Sequence, residues 1–408
     1  MMTTAPTKAP SLIRLLDPEV LADPYQLYQS LRDEAPVMWD PYLHAWVVTR
    51  YADVADVLTR FKADRTPTPA KLAELGMEQL APVAQVMVRQ MLFLDPPQHG
   101  RVRGLAAAAF TPRRIAALRG HIQEITDSLI DAVIDDGGME VMDTLANPLP
   151  AIVTAEMLGV PTEDHELLKN WSSDFAEMLG NFQHNPGRVA GVLRSVEQMT
   201  EYFQAAVRNE ATHPTDGLIG ALCAAEIDGD SLSEDEIVAN VVVTMVGGQE
   251  TTTNLIGNGL LTLLRHRDQF EELIDDPSGL SAAIEELLRF ESPSQHTARI
   301  APDAVEIAGQ PIPAGQAVIA VMGSANRDPS KFTDPGRLDL HRAPNRHLAF
   351  GWAGHFCFGA PLARMEAQAA FGTVLARLPG LELQPGPIRW RPNLGLRGLA
   401  SLNVRWSL

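Results

Sequence analysis

The stretch FGWAGHFCFGAPLAR, residues 350–364, sets a cysteine among glycines and aromatic residues, directly before an apolar segment. Cys357 is one of only two cysteines in the 408 residues; the other is Cys223. Pro361 and the apolar spacing after it predict a helix whose N-terminus points at Cys357. Backbone N–H groups at such a helix end favour a thiolate, which is a metal ligand or a nucleophile. The glycines leave room for the backbone to approach a flat, bulky group.

Four interpretations of Cys357 compete. A lone cysteine among aromatic residues is most often a small buried apolar residue. A zinc site needs several Cys or His ligands at regular spacing, and only His355 is near in sequence. A nucleophile needs a partner base, which the sequence does not place. A thiolate as the single axial ligand of a haem iron explains more of the stretch, because a haem needs one strong ligand, backbone room and cations for its propionates.

The composition narrows the class of protein. With 45% hydrophobic and 21% charged residues, the chain is typical of soluble globular proteins. A net charge of -18 argues against binding to nucleic acid, which needs clustered Lys and Arg. Two cysteines are too few for a disulfide framework, and residues 1–20 contain no apolar run that would act as a signal peptide or membrane anchor. We therefore expect a cytoplasmic protein without a membrane anchor.

The hydrophobic pattern predicts a mainly α-helical chain with smaller β-sheets. Helical periodicity dominates from about residue 98 to about residue 290, whereas AWVVTR (45–50), residues 305–321 and residues 389–406 have the β-branched runs of short strands. No internal repeat and no linker rich in Ser, Gly or Pro divides the chain. One domain covering residues 1–408 is the expectation.

The longest predicted helix starts at a capping box of Ser233 and Glu236 and continues through apolar residues for more than eight turns. Its middle reads GGQETT, residues 247–252, although each glycine costs roughly 1 kcal/mol in a helix interior. One interpretation is a kink, with Glu250 solvated and Thr251 bonded to a carbonyl one turn earlier. The other is that a ligand lies against the glycines while Glu250 and Thr251 handle protons.

Residues 350–364 resemble the haem-binding signature of the cytochrome P450 family, in which Phe350, the glycines, His355 and Cys357 stand in this order. The family usually has glycine where this chain has Ala353, so we expect a small change in the loop. The motif GGQETT resembles the family's oxygen-activating helix. The resemblance thus implies that Cys357 is the iron ligand and that Glu250 and Thr251 deliver protons.

Further motifs match the family over almost the whole chain, although each alone would read as an ordinary surface pair. HGRVR at 99–103 and TARIA at 297–301 resemble the segments that bind the haem propionates. The resemblance implies propionate contacts from four residues: His99, Arg103, Arg299 and His355. IEELLR and FTDPGRL resemble the segments of a buried ion network that braces the cysteine loop, with the members Glu286, Arg289 and Arg337.

The resemblance implies a single triangular domain and a monooxygenase that uses haem b, inserting one oxygen atom of O2 into a C–H bond or alkene while the other leaves as water. Electrons would come from NAD(P)H through a ferredoxin reductase and a ferredoxin, because the chain has no flavin or iron–sulfur motif. Since the net charge of -18 repels an acidic partner, docking needs a local basic patch. Four arginines in segments near the thiolate side are the candidates: Arg101, Arg113, Arg114 and Arg364.

The expected substrate is a hydrophobic small molecule such as a polyketide, macrolide, terpenoid or fatty acid. By resemblance, the substrate pocket is lined by Met87, Met91, Val243, Gly247 and Leu396. Two rival functions are a peroxide-driven or non-oxygenating haem-thiolate enzyme, and a haem sensor without turnover. The Glu250–Thr251 pair argues against the first, and the sequence leaves no residues for the output domain that the second requires.

Overall fold

The computed structural model describes residues 10–74, 77–181, 186–210 and 212–407. The ends of the predicted domain, residues 1–9 and 408, lie outside them, as does part of the N-terminal segment used to argue against a signal peptide. The described residues form seventeen α-helices. In chain order these are α1 Pro18–Ala22, α2 Tyr25–Glu34, α3 Tyr51–Arg60, α4 Pro69–Glu74, α5 Ala81–Met87, α6 Gln98–Ala109, α7 Pro112–Ala117, α8 Arg119–Asp131, α9 Pro148–Leu158, α10 His165–Asn181, α11 Val189–Glu210, α12 Leu218–Ala224, α13 Glu234–Arg265, α14 Arg267–Asp275, α15 Leu280–Phe290, α16 Met322–Ala325 and α17 Ala360–Arg377.

The same residues form thirteen short strands. These are β1 Val37–Asp40, β2 Ala45–Val48, β3 Gly138–Glu140, β4 Glu226–Ile227, β5 Asp230–Ser231, β6 Thr297–Ile300, β7 Val305–Ile307, β8 Gln310–Ile312, β9 Ala317–Ala320, β10 Glu382–Leu383, β11 Arg389–Trp390, β12 Leu399–Ser401 and β13 Asn403–Arg405. The prediction of a mainly helical chain with small sheets is confirmed, and all three segments predicted to be extended contain strands. Within the described ranges, no helix is both long and apolar enough to cross a membrane.

Helix α13 runs through the largest hydrophobic core of the protein and contacts α9, α10, α11 and α17. The predicted capping box is present: the backbone N–H of Glu236 donates to Ser233 Oγ, and the Glu236 carboxylate accepts from the Ser233 N–H. The glycines at 247 and 248 do not interrupt the helix, which continues to Arg265. A Cβ on Gly259 would lie 2.6 Å from the ring of Phe371 in α17, so these two helices pack closely.

A four-stranded sheet in the order β1–β2–β9–β6 fixes the position of Arg299. Strands β2 and β9 are parallel, and β6 runs antiparallel to β9 with Arg299 opposite Val318. Two smaller hydrophobic clusters pack against this sheet. At the end of β6, Ile300 forms an isolated bridge with Lys62, which brings the segment after α3 next to Arg299.

The chain after α17 returns to the interior of the protein. A second isolated bridge pairs Ser294 with Leu396, and the Gln295 N–H donates to the Gly395 carbonyl at 2.8 Å. The loop at 393–396 therefore lies along the segment that precedes β6. In the same loop, the Asn393 side chain reaches the Ala176 carbonyl of α10.

Candidate active site

The cysteine loop is closed by its own backbone. The Cys357 N–H donates to the Phe350 carbonyl at 2.8 Å, and Gly351 between them has a φ of 73°, a conformation that glycine adopts without strain. Ala353 has a φ of 55°, although it carries a Cβ that disfavours this region. The departure from the family pattern at Ala353 therefore leaves the loop intact but strained at one residue.

The predicted helix after Cys357 is α17, and the backbone N–H groups of Gly359 and Ala360 hydrogen-bond to the sulfur. These N–H groups favour the thiolate, as the sequence predicts, but they are not the largest influence on the thiol. Burial raises the pKa of the Cys357 thiol and outweighs these N–H groups. A coordinated metal ion deprotonates a thiol outright, so the thiolate form depends on the cation that the sulfur binds.

Titratable groups from two distant segments meet beside this loop. The rings of His99 in α6 and His355 lie 4.1 Å apart between centroids, and His99 Nε2 is buried without a hydrogen-bond partner among the described residues. Arg103 Nη2 donates to the Phe356 carbonyl at 2.7 Å. Helix α6 thus brings both predicted propionate contacts of the HGRVR motif to the cysteine loop.

Arg299 lies in the same electrostatic cluster. Its Nη1 donates to Thr297 Oγ1 at 3.1 Å and to the Ala298 carbonyl at 2.9 Å, while its Nε is buried without a partner in the described part of the chain. Burial lowers the pKa of Arg299 to about 10. Burial, followed by the nearby His99 and Arg299, lowers the pKa of His355 to about 3.

These side chains fit a cofactor that carries iron and carboxylates. Cys357 keeps accessible surface, so it is not sealed in the core. Arg299 Nε is a buried N–H donor without a partner among the described residues, and His99 Nε2 is a buried ring nitrogen without one. An anion would satisfy the arginine, since a buried donor without an acceptor costs about 1–3 kcal/mol. No cluster of three or more His, Cys, Asp or Glu residues suited to a metal ion exists among the described residues, which disfavours the zinc interpretation.

One face of α13 is not covered by the protein. Although most residues of α13 are buried, five in its middle keep accessible surface and recur at intervals of three to four, which places them on one face. These are Val243, Thr244, Gly247, Gly248 and Thr251. A Cβ built on Gly247 would have no described atom within 4 Å. The predicted pocket residues Val243 and Gly247 both lie on this face.

Thr251 and Glu250 are both engaged in hydrogen bonds. Thr251 Oγ1 donates to the Gly247 carbonyl at 2.7 Å. This is the bond to a carbonyl one turn earlier that the kink interpretation of the sequence predicts. Glu250 Oε1 accepts from Ser173 Oγ at 2.6 Å, and Oε2 lies 2.9 Å from Arg391 Nη2. The carboxylate is buried and paired, so the expectation of a solvated Glu250 is wrong.

Ser173 and Arg391 are functional candidates that the sequence did not indicate. Arg391 also donates to Asn254 Oδ1 at 2.7 Å, one turn after Glu250. Ser173 belongs to α10 and Arg391 follows β11, so the group around Glu250 combines three segments far apart in sequence. No local pattern links them, and only the fold brings them together.

Of the three remaining predicted pocket residues, Met87 and Met91 lie in segments that contact α13. Met87 ends α5, which contacts α11 and α13, and is half-buried. Met91 is buried, and its N–H donates to Asn240 Oδ1 of α13 at 2.9 Å. Leu396 is half-buried and bridges to Ser294.

The predicted ion network is buried, but one member differs. Glu286 and Arg289 are fully buried and form two hydrogen bonds of 2.7 Å. The third side chain is Arg342, whose Nε lies 3.1 Å from Glu286 Oε2. The assignment of Arg337 is corrected because its side chain is exposed, and only its backbone carbonyl accepts from Arg289 and Arg342.

A second network, centred on Glu285, braces the cysteine loop directly and was not predicted. The Glu285 carboxylate binds Arg364 of α17 at 2.6 and 2.7 Å and His347 at 3.1 Å. The Arg364 guanidinium lies 4.5 Å from the centre of the Phe350 ring. Burial would raise the pKa of Glu285, but the two partners outweigh it and hold the pKa at about 2.

The fold, the cysteine loop and the nearby arginines Arg103 and Arg299 define the class of a haem-thiolate protein. The sequence profile described as Cytochrome P450 matches residues 72–276 and 279–388. The chain belongs to the cytochrome P450 family and is a monooxygenase of the bacterial type.

Individual relatives cover nearly the whole chain. It is 38% identical over 390 residues to the biotin biosynthesis cytochrome P450 of Bacillus subtilis, covering 95% of this chain and 97% of that protein. It is 37% identical over 415 residues to the cytochrome P450 monooxygenase PikC of Streptomyces venezuelae, covering 98% of this chain and 95% of that protein. The solved structure of P450BioI in complex with hexadec-9Z-enoic acid ligated acyl carrier protein matches with a TM-score of 0.90 at 37% identity, covering 96% of this chain and 99% of that chain.

Proposed function

We propose that the chain is a single-domain, ferredoxin-dependent enzyme of the cytoplasm that oxidises a hydrophobic small molecule in secondary metabolism. The cofactor is haem b, ligated by Cys357, and the electrons originate from NAD(P)H. The observation that carries the proposal is the pair of buried nitrogen atoms that have no hydrogen-bond partner among the described residues, Arg299 Nε and His99 Nε2. A carboxylate-bearing cofactor supplies the acceptors that the protein lacks there.

The residues around the cofactor have separate roles. Cys357 would supply the sulfur that holds the iron, and Phe350, against which Arg364 packs, shapes the loop beside it. Four residues bind the carboxylates: His99, Arg103, Arg299 and His355. Haem iron with a thiolate ligand supplies the reductive activation of dioxygen. The networks of Glu285 and Glu286 hold the loop in place. They resist movement because breaking a buried ion pair would leave a charge without a partner.

Glu250 and Thr251 provide the protons that oxygen reduction consumes. Thr251 lies on the uncovered face of α13, where its hydroxyl can exchange its bond to the Gly247 carbonyl for a bond to water. Glu250 reaches that face only after releasing Arg391 or Ser173, because both of its oxygens are occupied. Arg391 is therefore a positioning residue for the proton donor.

The electron donor docks near the cysteine loop. Two of the four predicted docking arginines serve other purposes: Arg101 binds Asp230 and Glu236, and Arg364 binds Glu285. Arg113 and Arg114 of α7 stay exposed, and α7 is tied to the loop by the stacked rings of Phe110 and Phe358 at 5.0 Å. Trp352 and Phe356 add exposed apolar surface on the loop itself: 36% and 39%. We propose that a ferredoxin binds this surface.

The substrate occupies the space against the uncovered face of α13. The residues that surround it are largely apolar: Met87, Met91, Val243, Gly247 and Leu396. His296 adds one polar group, since its Nε2 is buried without a partner in the described chain. Burial lowers the pKa of His296 to about 4, so at neutral pH the ring is uncharged and offers a hydrogen bond without a formal charge. A hydrophobic molecule with a hydroxyl or carbonyl group, such as a macrolide or polyketide, fits this lining.

The test is a reconstitution of the haem-loaded protein with a ferredoxin, a ferredoxin reductase and NAD(P)H. Candidate hydrophobic compounds are first screened for the spectral change that follows displacement of water from the iron, and binders are then assayed for oxygenated products. The expected result is product that requires all three redox components and carries one atom from labelled dioxygen. Product from hydrogen peroxide at an equal rate without them would instead favour the peroxide-driven alternative.

A further inference from the structure

Arg65 lies beside the predicted propionate contacts but belongs to none of the motifs that indicated them. Lys62 and Ile300 exchange two backbone hydrogen bonds of 2.9 Å, which fixes the segment after α3 against the end of β6. The carboxylate of Asp95 accepts from the N–H groups of Ala63 and Asp64 at 2.8 and 3.2 Å. The segment 62–65 is therefore held between the strand that carries Arg299 and the residue that precedes the helix of His99.

The side chain of Arg65 is fixed but not neutralised. Its guanidinium lies 4.4 Å from the centre of the buried Phe93 ring, and Nη1 donates to the Ala63 carbonyl at 3.0 Å. Within the part of the chain that the structure describes, neither Arg65 nor Arg299 forms an ion pair. Burial, followed by the charge of Arg299, lowers the pKa of Arg65 to about 9.

Arg65 is half-buried and Arg299 is buried, and two guanidinium groups that repel each other in such surroundings need a shared anion. A guanidinium presents five N–H donors and stays charged, so it cannot escape the repulsion by losing a proton at neutral pH. The anion that best matches two such groups is a carboxylate, which accepts paired hydrogen bonds from an arginine. Two sources could present a carboxylate here: the cofactor and an acidic substrate.

We propose that Arg65 is a further cofactor-binding residue, which shares with Arg299 one of the haem carboxylates. The cofactor is the source because Asp95, which anchors residue 63, also accepts from the His99 N–H at 3.0 Å, and the His99 ring lies 4.1 Å from the ring of His355 in the cysteine loop. The segment of Arg65 is therefore tied to the residues that would bind the cofactor. The inference rests on the proposed haem-thiolate function. Packing on Phe93 and the anchoring of residues 62–65 by Asp95 hold the Arg65 guanidinium in place before the cofactor binds.

The first test measures the rate at which ferric holoprotein loses haem to excess apomyoglobin. Arg65→Met keeps the length of the side chain and its packing on Phe93 but removes the charge. We expect this variant to release haem about tenfold faster, the scale of one hydrogen bond to a charged group. Arg65→Lys should fall between Arg65→Met and the wild type, because an ammonium keeps the charge without the planar paired contact.

Arg60→Met is the matched control, since Arg60 is an exposed arginine of α3 that binds Asp56. It should release haem at the wild-type rate. Wild-type release by Arg65→Met would overturn the inference. If Arg65→Met does not accumulate as folded protein by circular dichroism, Arg65→Lys decides: release about threefold faster supports the inference, and wild-type release contradicts it.

The second test separates the two sources of the carboxylate. Spectral titrations of the wild type and Arg65→Met with dodecanoic acid and dodecanol give two dissociation constants for each protein. We expect the ratio of acid to alcohol affinity to stay unchanged by the substitution. A selective loss of affinity for the acid, with wild-type haem release, would assign Arg65 to the substrate and overturn the proposal. A wild-type protein without haem would instead refute the proposed function itself.

Discussion

The cysteine loop and the middle of α13 are constructed in opposite ways. The loop is held by its own backbone bond from Cys357 to Phe350 and by two ion networks on α15, one centred on Glu285 and one on Glu286. The uncovered face of α13 has no such support, and the neighbouring carboxylate of Glu250 is held away from it by Arg391 and Ser173. The loop is therefore built to hold a ligand still, whereas the helix face is built to let groups exchange partners.

The contrast also separates two kinds of mutational effect. Changes at the loop and its networks should reduce the binding of the cofactor or the stability of the fold. Changes at α13 should leave both intact and alter how electrons and protons are used.

The largest effect is expected for Cys357→Ala. The loop keeps its backbone bond, but the iron loses its sulfur ligand, so the thiolate spectrum and all turnover should disappear. Cys223→Ala is the control, because Cys223 is exposed on α12 and should be dispensable. A Cys357→Ala protein that kept the thiolate spectrum and its turnover would exclude Cys357 as the ligand.

The next effect is the loss of the buried ion pair in Glu286→Gln. Arg289 has no exposed surface, so removing its partner strands a charge at a cost of about 3–5 kcal/mol of unfolding free energy. Glu285→Gln is the comparison, since Glu285 is partly exposed and should cost only about 1 kcal/mol. Denaturant unfolding of both holoproteins measures this difference. Equal losses of unfolding free energy in the two variants would show that the deeper burial of the Glu286 network does not make it the more stabilising of the two.

Thr251→Ala should retain haem and release reducing equivalents as hydrogen peroxide. Removal of a positioned proton donor should lower the product formed per NAD(P)H by at least about tenfold. Thr244 offers a close control: it lies on the same uncovered face and donates to the Asn240 carbonyl one turn earlier, as Thr251 does to Gly247. Unchanged coupling in Thr251→Ala, or an equal loss in Thr244→Ala, would remove Thr251 from the mechanism.

Arg391→Met tests whether the partner of Glu250 matters to turnover. We expect coupling to fall about threefold with haem content unchanged, because the carboxylate loses its fixed orientation, and we expect Arg391→Met to cause no further loss in a protein that already carries Glu250→Gln. Arg389→Met, an exposed arginine of β11, is the control. Additive losses in the double variant would show that Arg391 acts independently of Glu250.

The smallest effect should come from Ala353→Gly. Ala353 has a positive φ that costs a residue with a Cβ about 1 kcal/mol, and the greater freedom of glycine in the unfolded chain offsets part of this. We expect a gain of about 0.5 kcal/mol in unfolding free energy. Gly351→Ala, at a φ of 73°, should destabilise by about 1 kcal/mol. A loss in Ala353→Gly would show that the alanine methyl makes a stabilising contact.

Local sequence signals predicted the elements that are built locally. The capping box at Ser233 located the start of α13, and Pro361 with the apolar spacing located α17, because both patterns act within one or two turns. The cysteine stretch was recognisable for the same reason: its loop closes on itself within eight residues. The separate motifs, taken in their order along the chain, resemble those of the cytochrome P450 family, and this resemblance then predicted the fold.

Contacts between distant segments could not be read from the sequence. Ser173 and Glu250 are 77 residues apart, and nothing near Ser173 indicates that it binds a carboxylate. Arg337 was assigned to the ion network by motif, although the side chain that reaches Glu286 is Arg342, five residues later. In an irregular loop, a shift of a few residues decides which side chain points inward. A loop has no regular spacing of apolar residues from which that side chain could be predicted.

The most direct test of the central claim is the absorption spectrum of the purified protein, reduced with dithionite and exposed to carbon monoxide. If Cys357 ligates a haem iron as a thiolate, the Soret band should shift strongly to longer wavelength and the shift should be lost in Cys357→Ala. A protein without haem, or a carbon monoxide complex typical of histidine ligation, would contradict the account.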